Sequence, residues 1–194
     1  MALILASASP RRRELLGLLT TEFTVCTADV DESIFREATP AALAGRLAAE
    51  KCRAAQAALL AAGTAAETDC VIGCDTVVDA DGTVLGKPKT PADAEAMLRL
   101  LSGRTHLVHT GLAVRRGGAE LLRTVTTAVR LAPLSDAEIA AYIATDEPYD
   151  KAGGYGIQGR AARFITGIDG DYYTVMGLPV RTLYELLLQM GVPL

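Results

Sequence analysis

The stretch Cys70-Val-Ile-Gly-Cys-Asp-Thr-Val-Val-Asp-Ala-Asp-Gly-Thr-Val-Leu-Gly-Lys-Pro88 decides how the chain is read. Its first part is a short apolar run rich in β-branched residues, the pattern of a buried strand. Asp81-Gly82 between two valine-containing runs predicts a tight hairpin. Asp75 then falls at the end of the buried run, and Lys87 returns towards it after the turn. A carboxylate at the mouth of a buried strand is costly unless something pairs with it. Asp75 is therefore the candidate centre, and the rest of the chain is searched for its partners.

Composition narrows the classes. The 194 residues are half apolar and 22% charged, which describes an ordered globular chain long enough for a sizeable core. They are read as one domain, 1–194, or two closely packed lobes. A net charge of -4 argues against a polymeric nucleic-acid partner, which calls for clustered positive charge. No apolar run approaches the roughly 20 residues of a membrane span. Met1-Ala-Leu-Ile-Leu-Ala-Ser7 lacks the basic start of a signal peptide, so a cytoplasmic location is expected. The cysteines 26, 52, 70 and 74 form no CxxC pair and read as buried free thiols.

Outward from the centre, Leu3–Ala6 is a short buried strand, followed by a serine loop into a helix. Ser9 suits the N-cap and Pro10 the first helical position, with Leu15, Leu16, Leu18 and Leu19 as its buried face. Arg11, Arg12 and Arg13 occupy the first turn, where the helix dipole disfavours cations. Serine hydroxyls, exposed N–H groups and guanidinium forks at one place favour a phosphate cradle over a solvated surface. Phe23–Cys26 is a second strand, and it leads into Ala28-Asp-Val-Asp-Glu-Ser33. Those carboxylates suit either a divalent cation or a solvated turn. Thr39-Pro40 and Thr90-Pro91 each cap a helix, the first running to about residue 62 and carrying Lys51, the second to Leu101.

Residues 105–115 and 119–131 alternate as long strands joined at Gly117-Gly118. His106 and His109 fall on opposite faces of the first, which argues for structural roles rather than joint metal ligation. Ser135-Asp-Ala-Glu138 is a capping box. Glu147-Pro-Tyr-Asp-Lys-Ala-Gly-Gly-Tyr-Gly-Ile-Gln-Gly159 interleaves glycines with Asp150, Lys151, Tyr155 and Gln158, which suits close approach to a ligand. A last strand from Phe164-Ile165, a polar-aromatic loop over residues 170–173 and an amphipathic helix after Pro179 finish the chain. Gly82-Thr-Val-Leu-Gly-Lys-Pro88 is not a P-loop: it is one residue short, has Pro88 where Ser or Thr must stand, and opens no helix. Hydrolysis of a phosphoanhydride calls for cations on the phosphates, carboxylates for a metal and an oriented water. The chain holds these groups in scattered segments.

Seven motifs taken together identify a resemblance: Leu5-Ala-Ser-Ala-Ser-Pro-Arg-Arg12, Asp31-Glu-Ser33, Gly73-Cys-Asp-Thr76, Leu85-Gly-Lys-Pro88, Leu101-Ser-Gly103, Asp150–Gly159 and Gly170-Asp-Tyr-Tyr-Thr-Val-Met-Gly-Leu-Pro179 resemble the Maf family, in order and over the whole chain. The resemblance implies an α/β fold, an elongated structure related to the inosine triphosphatases, with a mixed twisted sheet flanked by helices and a cleft between two lobes. It implies a nucleoside triphosphate pyrophosphatase that uses a divalent metal, Mg2+ or Mn2+. By motif, Asp75 matches the proton acceptor and Glu32 a metal or catalytic carboxylate, with Glu32 and Asp75 as metal ligands. Lys51 and Lys87 match catalytic-site lysines, and Ser7, Ser9, Arg12 and Lys151 the lining that grips the triphosphate. Arg11, Thr76 and Gln158 resemble the branch acting on dTTP and UTP, so a pyrimidine nucleotide is the expected partner. A sister branch acts on 7-methyl-GTP, and a role in septum formation is the remaining alternative. The resemblance leaves a monomer and a homodimer both open. Cys74 stands where a small residue, often Ser, is usual, and Thr174 where Asn is common.

Overall fold

A computed structural model describes residues 1–194 apart from 28 and 36. Its centre is a mixed sheet of seven strands. These are β1 (Leu3–Ala6), β2 (Thr24–Cys26), β3 (Cys70–Ala80), β4 (Thr83–Leu85), β5 (Thr105–Arg116), β6 (Ala119–Leu131) and β7 (Ile165–Asp169). The order is β2-β1-β3-β5-β6-β7, with β4 paired to β3. β1 runs parallel to β2 and β3, and the other pairs are antiparallel. Six α-helices pack around the sheet among the described residues: α1 (Pro10–Leu16), α2 (Pro40–Ala61), α3 (Pro91–Leu101), α4 (Asp136–Ile143), α5 (Tyr172–Met176) and α6 (Val180–Gln189).

The Asp81-Gly82 hairpin forms as expected, with φ of 52° and 87° and Ala80 paired to Thr83. Positive φ at both central residues is the turn whose twist matches the strands. One expectation is corrected: Asp75 does not end its strand, which continues for five residues beyond it. What ends is its neighbour. β1 pairs with β3 only as far as Ala6 opposite Gly73, and β4 begins pairing at Val78. Between them, residues 74–77 keep β5 on one side and have no strand on the other. The cleft opens over that gap.

Alternation along β3 sends Val71, Gly73, Asp75 and Val77 to one face and Ile72, Cys74, Thr76 and Val78 to the other. α2 covers the first face with Ala44, Ala48, Cys52 and Ala55, a stripe of small buried residues. It lies almost on the backbone. A Cβ on Gly73 would stand 2.2 Å from the Ala48 carbonyl, and one on Gly111 2.2 Å from that of Ala44. The other face carries two clusters, one around Leu5, Leu16, Ile72, Leu112 and Leu183, and one around Val78, Leu98, Val108, Tyr142 and Phe164.

Smaller departures have local causes. α1 stops at Leu16 with Gly17 as its cap, so Leu18 is 60% exposed rather than buried. The segment after Gly170 is not a loop, because Asp171 accepts from the Tyr173 and Thr174 N–H groups and caps α5. All four cysteines are free, and burial pushes Cys52 and Cys70 up to about 12 and Cys74 up to about 11. His106 meets the Tyr155 hydroxyl at 2.6 Å, and burial lowers it to about 4. His109 lies between Asp79 and Thr126. Among the described residues no helix is long and apolar enough to cross a membrane.

Candidate active site

The part of β3 left unpaired between β1 and β4 floors a cleft of about 1100 Å³, lined by the β1–α1 loop, α2, β3, the strand after the hairpin and the glycine-rich segment. Asp75 sits at its base with 8% exposure. Lys51, one turn beyond Leu47 on α2, hydrogen-bonds to Asp75 and lies 2.6 Å from Glu32. The close seating of α2 on Gly73 and Gly111 makes that meeting possible, since it brings the helix near enough for a lysine to reach across.

Burial drives Asp75 upward from the ordinary carboxylate range, against the pull of Lys51 and Arg12. Burial alone would lower Lys51, but Asp75 and Glu32 outweigh it and the ammonium is held charged. A buried carboxylate of raised basicity, held by a fixed cation, is the condition a proton acceptor needs.

Arg12 leaves the helix surface and turns inward. It donates from Nε to the Gly177 carbonyl (2.8 Å), from Nη1 to Ser7 (3.2 Å) and from Nη2 to Thr76 (3.0 Å). Three of its five N–H groups are thus spent, and two remain for a ligand. Ser7 Oγ accepts from Arg12 and from the Ser9 N–H, so its own proton is left to donate. Ser9 caps α1 by accepting from the Arg12 N–H at 3.4 Å. Arg11 crosses the cleft mouth to Asp150 at 2.9 Å, and Arg13 faces solvent. Partial burial would raise Asp150, but Lys151 and Arg11 outweigh it and hold the carboxyl below its ordinary value.

Lys87 and Gln158 are exposed on the opposite rim and line the cleft without touching Asp75. Lys151 also lines it, tied to Asp150 and to the Glu147 carbonyl (2.9 Å). Glu147 organises this rim, accepting from the Tyr142 hydroxyl and from the N–H groups of Arg160 and Ala161. In the segment 28–33, residue 28 lies outside the described residues. Asp31 folds back on Ser33 and Glu32 turns to Lys51, so the three acidic residues there do not converge. Among the described residues no group of three or more His, Cys, Asp or Glu forms a metal cage.

Sequence reasoning missed Thr110, and marked Thr174 only as a departure from the usual Asn and Gly177 only as part of a motif; together they hold Thr76 and Arg12 from behind. It also gave Gly73 no packing role beyond its place in a motif and did not single out Gly111. Alternation would have flagged both as small positions on the face shared with Asp75 and its β5 partner, since Asp75 pairs with Gly111.

A family model described as Maf-like protein matches residues 2–190. The chain belongs to the Maf family. Maf relatives include a dTTP/UTP pyrophosphatase of Moorella thermoacetica, 50% identical over 98% of this chain and 95% of the relative. Another, from Symbiobacterium thermophilum, is 50% identical over 99% and 95%. One from Thermococcus gammatolerans, with the same name, is 46% identical over 95% and 94%. Among solved structures, the Staphylococcus aureus Ham1 protein aligns with a TM-score of 0.54 at 14% identity, covering 98% of this chain and 100% of that one. At that identity the likeness speaks for a shared fold alone.

Proposed function

We propose that the protein is a nucleoside triphosphate pyrophosphatase that hydrolyses dTTP and UTP to the nucleoside monophosphate and pyrophosphate. The observation that carries this reading is Asp75, a buried carboxylate at the floor of a cleft whose rims carry Arg12, Lys87 and Lys151. A cleft of about 1100 Å³ has room for a nucleotide and its triphosphate. The dTTP/UTP pyrophosphatase names of relatives at 50% identity support the substrate class.

In this reading water gains a bond to phosphorus, the bond from that phosphorus to the bridging oxygen breaks, and pyrophosphate leaves. Asp75 takes the proton of the attacking water, its basicity raised by burial. Lys51 fixes the Asp75 carboxylate and keeps it ionised. Arg12, with two free N–H groups, joins Ser7, Lys87 and Lys151 in neutralising the phosphates, where charge shifts towards the leaving group. Thr76 is spent on holding Arg12, which leaves Arg11 and Gln158 for the nucleoside end in this reading. The Gln158 amide is able both to donate to and to accept from a pyrimidine edge.

The donor set fits a divalent cation, Mg2+ or Mn2+: Glu32 and Asp75 share Lys51 and offer two carboxylates, and such ions are commonly held by one or two carboxylates plus substrate phosphates. When bound, the ion supplies charge neutralisation at the phosphates. A cytoplasmic location suits a reaction on free nucleotides.

Pyrophosphate release from dTTP, UTP, CTP and 7-methyl-GTP tests the reading. Turnover is expected to be fastest with dTTP and UTP. Faster release from 7-methyl-GTP than from both would move the protein to the other branch, and no release from any nucleotide would end the enzymatic reading.

A further inference from the structure

Thr110 lies on β5 directly opposite Thr76, on the side of the sheet away from α2, and it is fully buried. Its hydroxyl makes two bonds, to the Thr174 carbonyl at 2.8 Å and to Thr76 Oγ1 at 3.0 Å. A carbonyl only accepts, so Thr110 spends its single proton on Thr174. The bond between the two threonines must then run from Thr76 to Thr110. Thr76 has no proton left, and its oxygen receives Arg12 Nη2. The result is a chain in one direction: Arg12 to Thr76, Thr76 to Thr110, Thr110 to the Thr174 carbonyl.

The far end of this chain is anchored. Thr174 is fully buried, and its N–H and hydroxyl both donate to Asp171 Oδ2, at 2.9 and 2.8 Å. Asp171 caps α5, and the same helix ends at Gly177, whose carbonyl accepts from Arg12 Nε. α5 therefore grips one guanidinium at two points, directly at its C-terminal end and through two threonines from its first turn. Reversing any hydroxyl would leave a buried acceptor unpaired, which is expensive in a low dielectric.

We infer that Thr110 is a positioning residue for Arg12, acting through Thr76, and that it sets the guanidinium plane for the triphosphate. This rests on Arg12 as a phosphate-binding group. Thr110 itself reaches no substrate atom. Its hydroxyl fixes the direction of the Thr76 hydroxyl, and that in turn leaves a lone pair facing Arg12.

Thr110→Val keeps the shape and removes the hydroxyl. KM for UTP and dTTP is expected to rise roughly tenfold, the scale of one misplaced charge-assisted hydrogen bond, with a smaller change in kcat. Thr110→Ser should return most of the loss. In an Arg12→Ala background the valine should add nothing, because its effect passes through that residue. Effects of the two substitutions that multiply, or an unchanged KM in Thr110→Val, would overturn the inference. If the valine variant does not fold, Thr110→Ala carries the same expectation.

Calorimetric binding of inorganic tripolyphosphate runs the same cycle without hydrolysis. A weakening confined to the Arg12-containing background supports the positioning role even if no nucleotide is cleaved. Equal weakening in both backgrounds, or a wild-type protein that does not bind tripolyphosphate, defeats it. Absence of pyrophosphate release alone defeats only the enzymatic reading.

Discussion

The two walls of the cleft are built differently. On the inner wall Asp75, Lys51 and Arg12 come from β3, α2 and α1, and each is held by residues of another element. On the outer rim Lys87 and Gln158 are exposed, and Lys151 is tied mainly within its own segment. Preorganised groups in a water-poor site do most for the reacting atoms. Exposed groups on short loops suit binding and choice among substrates. The difference teaches a division of labour: substitutions at Asp75 and Lys51 should strike turnover and folding, and those at Arg12 and on the rim should strike affinity and selectivity.

The sharpest way to break that division is Asp75→Asn. Removing the proton acceptor should cut kcat by at least about a thousandfold, within the range for general-base catalysis, while nucleotide binding persists in calorimetry. The wild-type acid limb should lie above the ordinary carboxylate range, because burial raises the folded pKa of Asp75. The sign for stability is opposite to that of an acid whose folded pKa is lowered, because here burial outweighs the pairing with Lys51. The folded state holds this proton more tightly than the unfolded chain, so the stabilisation is present below about pH 4 and lost as pH rises through the raised value. At neutral pH the native protein thus carries a cost that Asn removes, offset by the loss of one partner of Lys51. The melting temperature should move little. A variant with full activity would take Asp75 out of the chemistry.

Lys51→Met should rank second. It leaves the buried Asp75 without its cation, a loss of about 3 kcal/mol for breaking a buried pair from one side. The surviving activity should have its acid limb moved to higher pH, since the group opposing the burial of Asp75 is gone. An unmoved limb would show that Lys51 does not tune Asp75. Gly111→Ala should come close behind in stability, through the backbone alone. Its Cβ would meet the Ala44 carbonyl at 2.2 Å, and relieving that contact means shifting α2 and Lys51 with it. A loss of about 2 kcal/mol in denaturant unfolding, together with reduced kcat, would tie helix seating to catalysis.

How far the sequence discloses these walls follows from the range of the contacts. The hairpin, the caps at Ser9, Thr39, Thr90 and Ser135, and the long strands are local signals and are realised. Individual site residues were legible through motifs, yet their meeting was not, because Lys51 and Asp75 are joined only by the fold. The placement of Asp75 was misjudged for a related reason. The cleft arises where β1 stops and β4 has not begun, and no property of β3 itself records where its neighbours end. Thr110 reads as an ordinary strand residue and Thr174 only as a departure from a motif, since a hydroxyl relay between distant segments leaves no periodicity. Leu18 follows an apolar pattern that outlasts its helix by two residues.

The rim should respond more gently. Lys87→Ala is expected to raise KM by about tenfold, a charge-assisted contact in a solvated setting, with kcat and melting temperature nearly unchanged. A large fall in kcat would move Lys87 to the inner class. Gln158→Ala should have the smallest effect. Its amide is exposed, so its removal should not alter stability. A neutral hydrogen bond is worth about 0.5–1.5 kcal/mol, or roughly threefold to tenfold in a rate ratio. The quantity to measure is therefore kcat/KM for UTP relative to CTP, not either alone. CTP presents a donor where UTP presents an acceptor, and an amide that rotates to suit one loses with the other. A ratio that falls towards unity while both absolute values stay within tenfold would make Gln158 a reader of the base. Equal losses on both nucleotides would make it a general binding contact and leave selectivity to Arg11 at the cleft mouth.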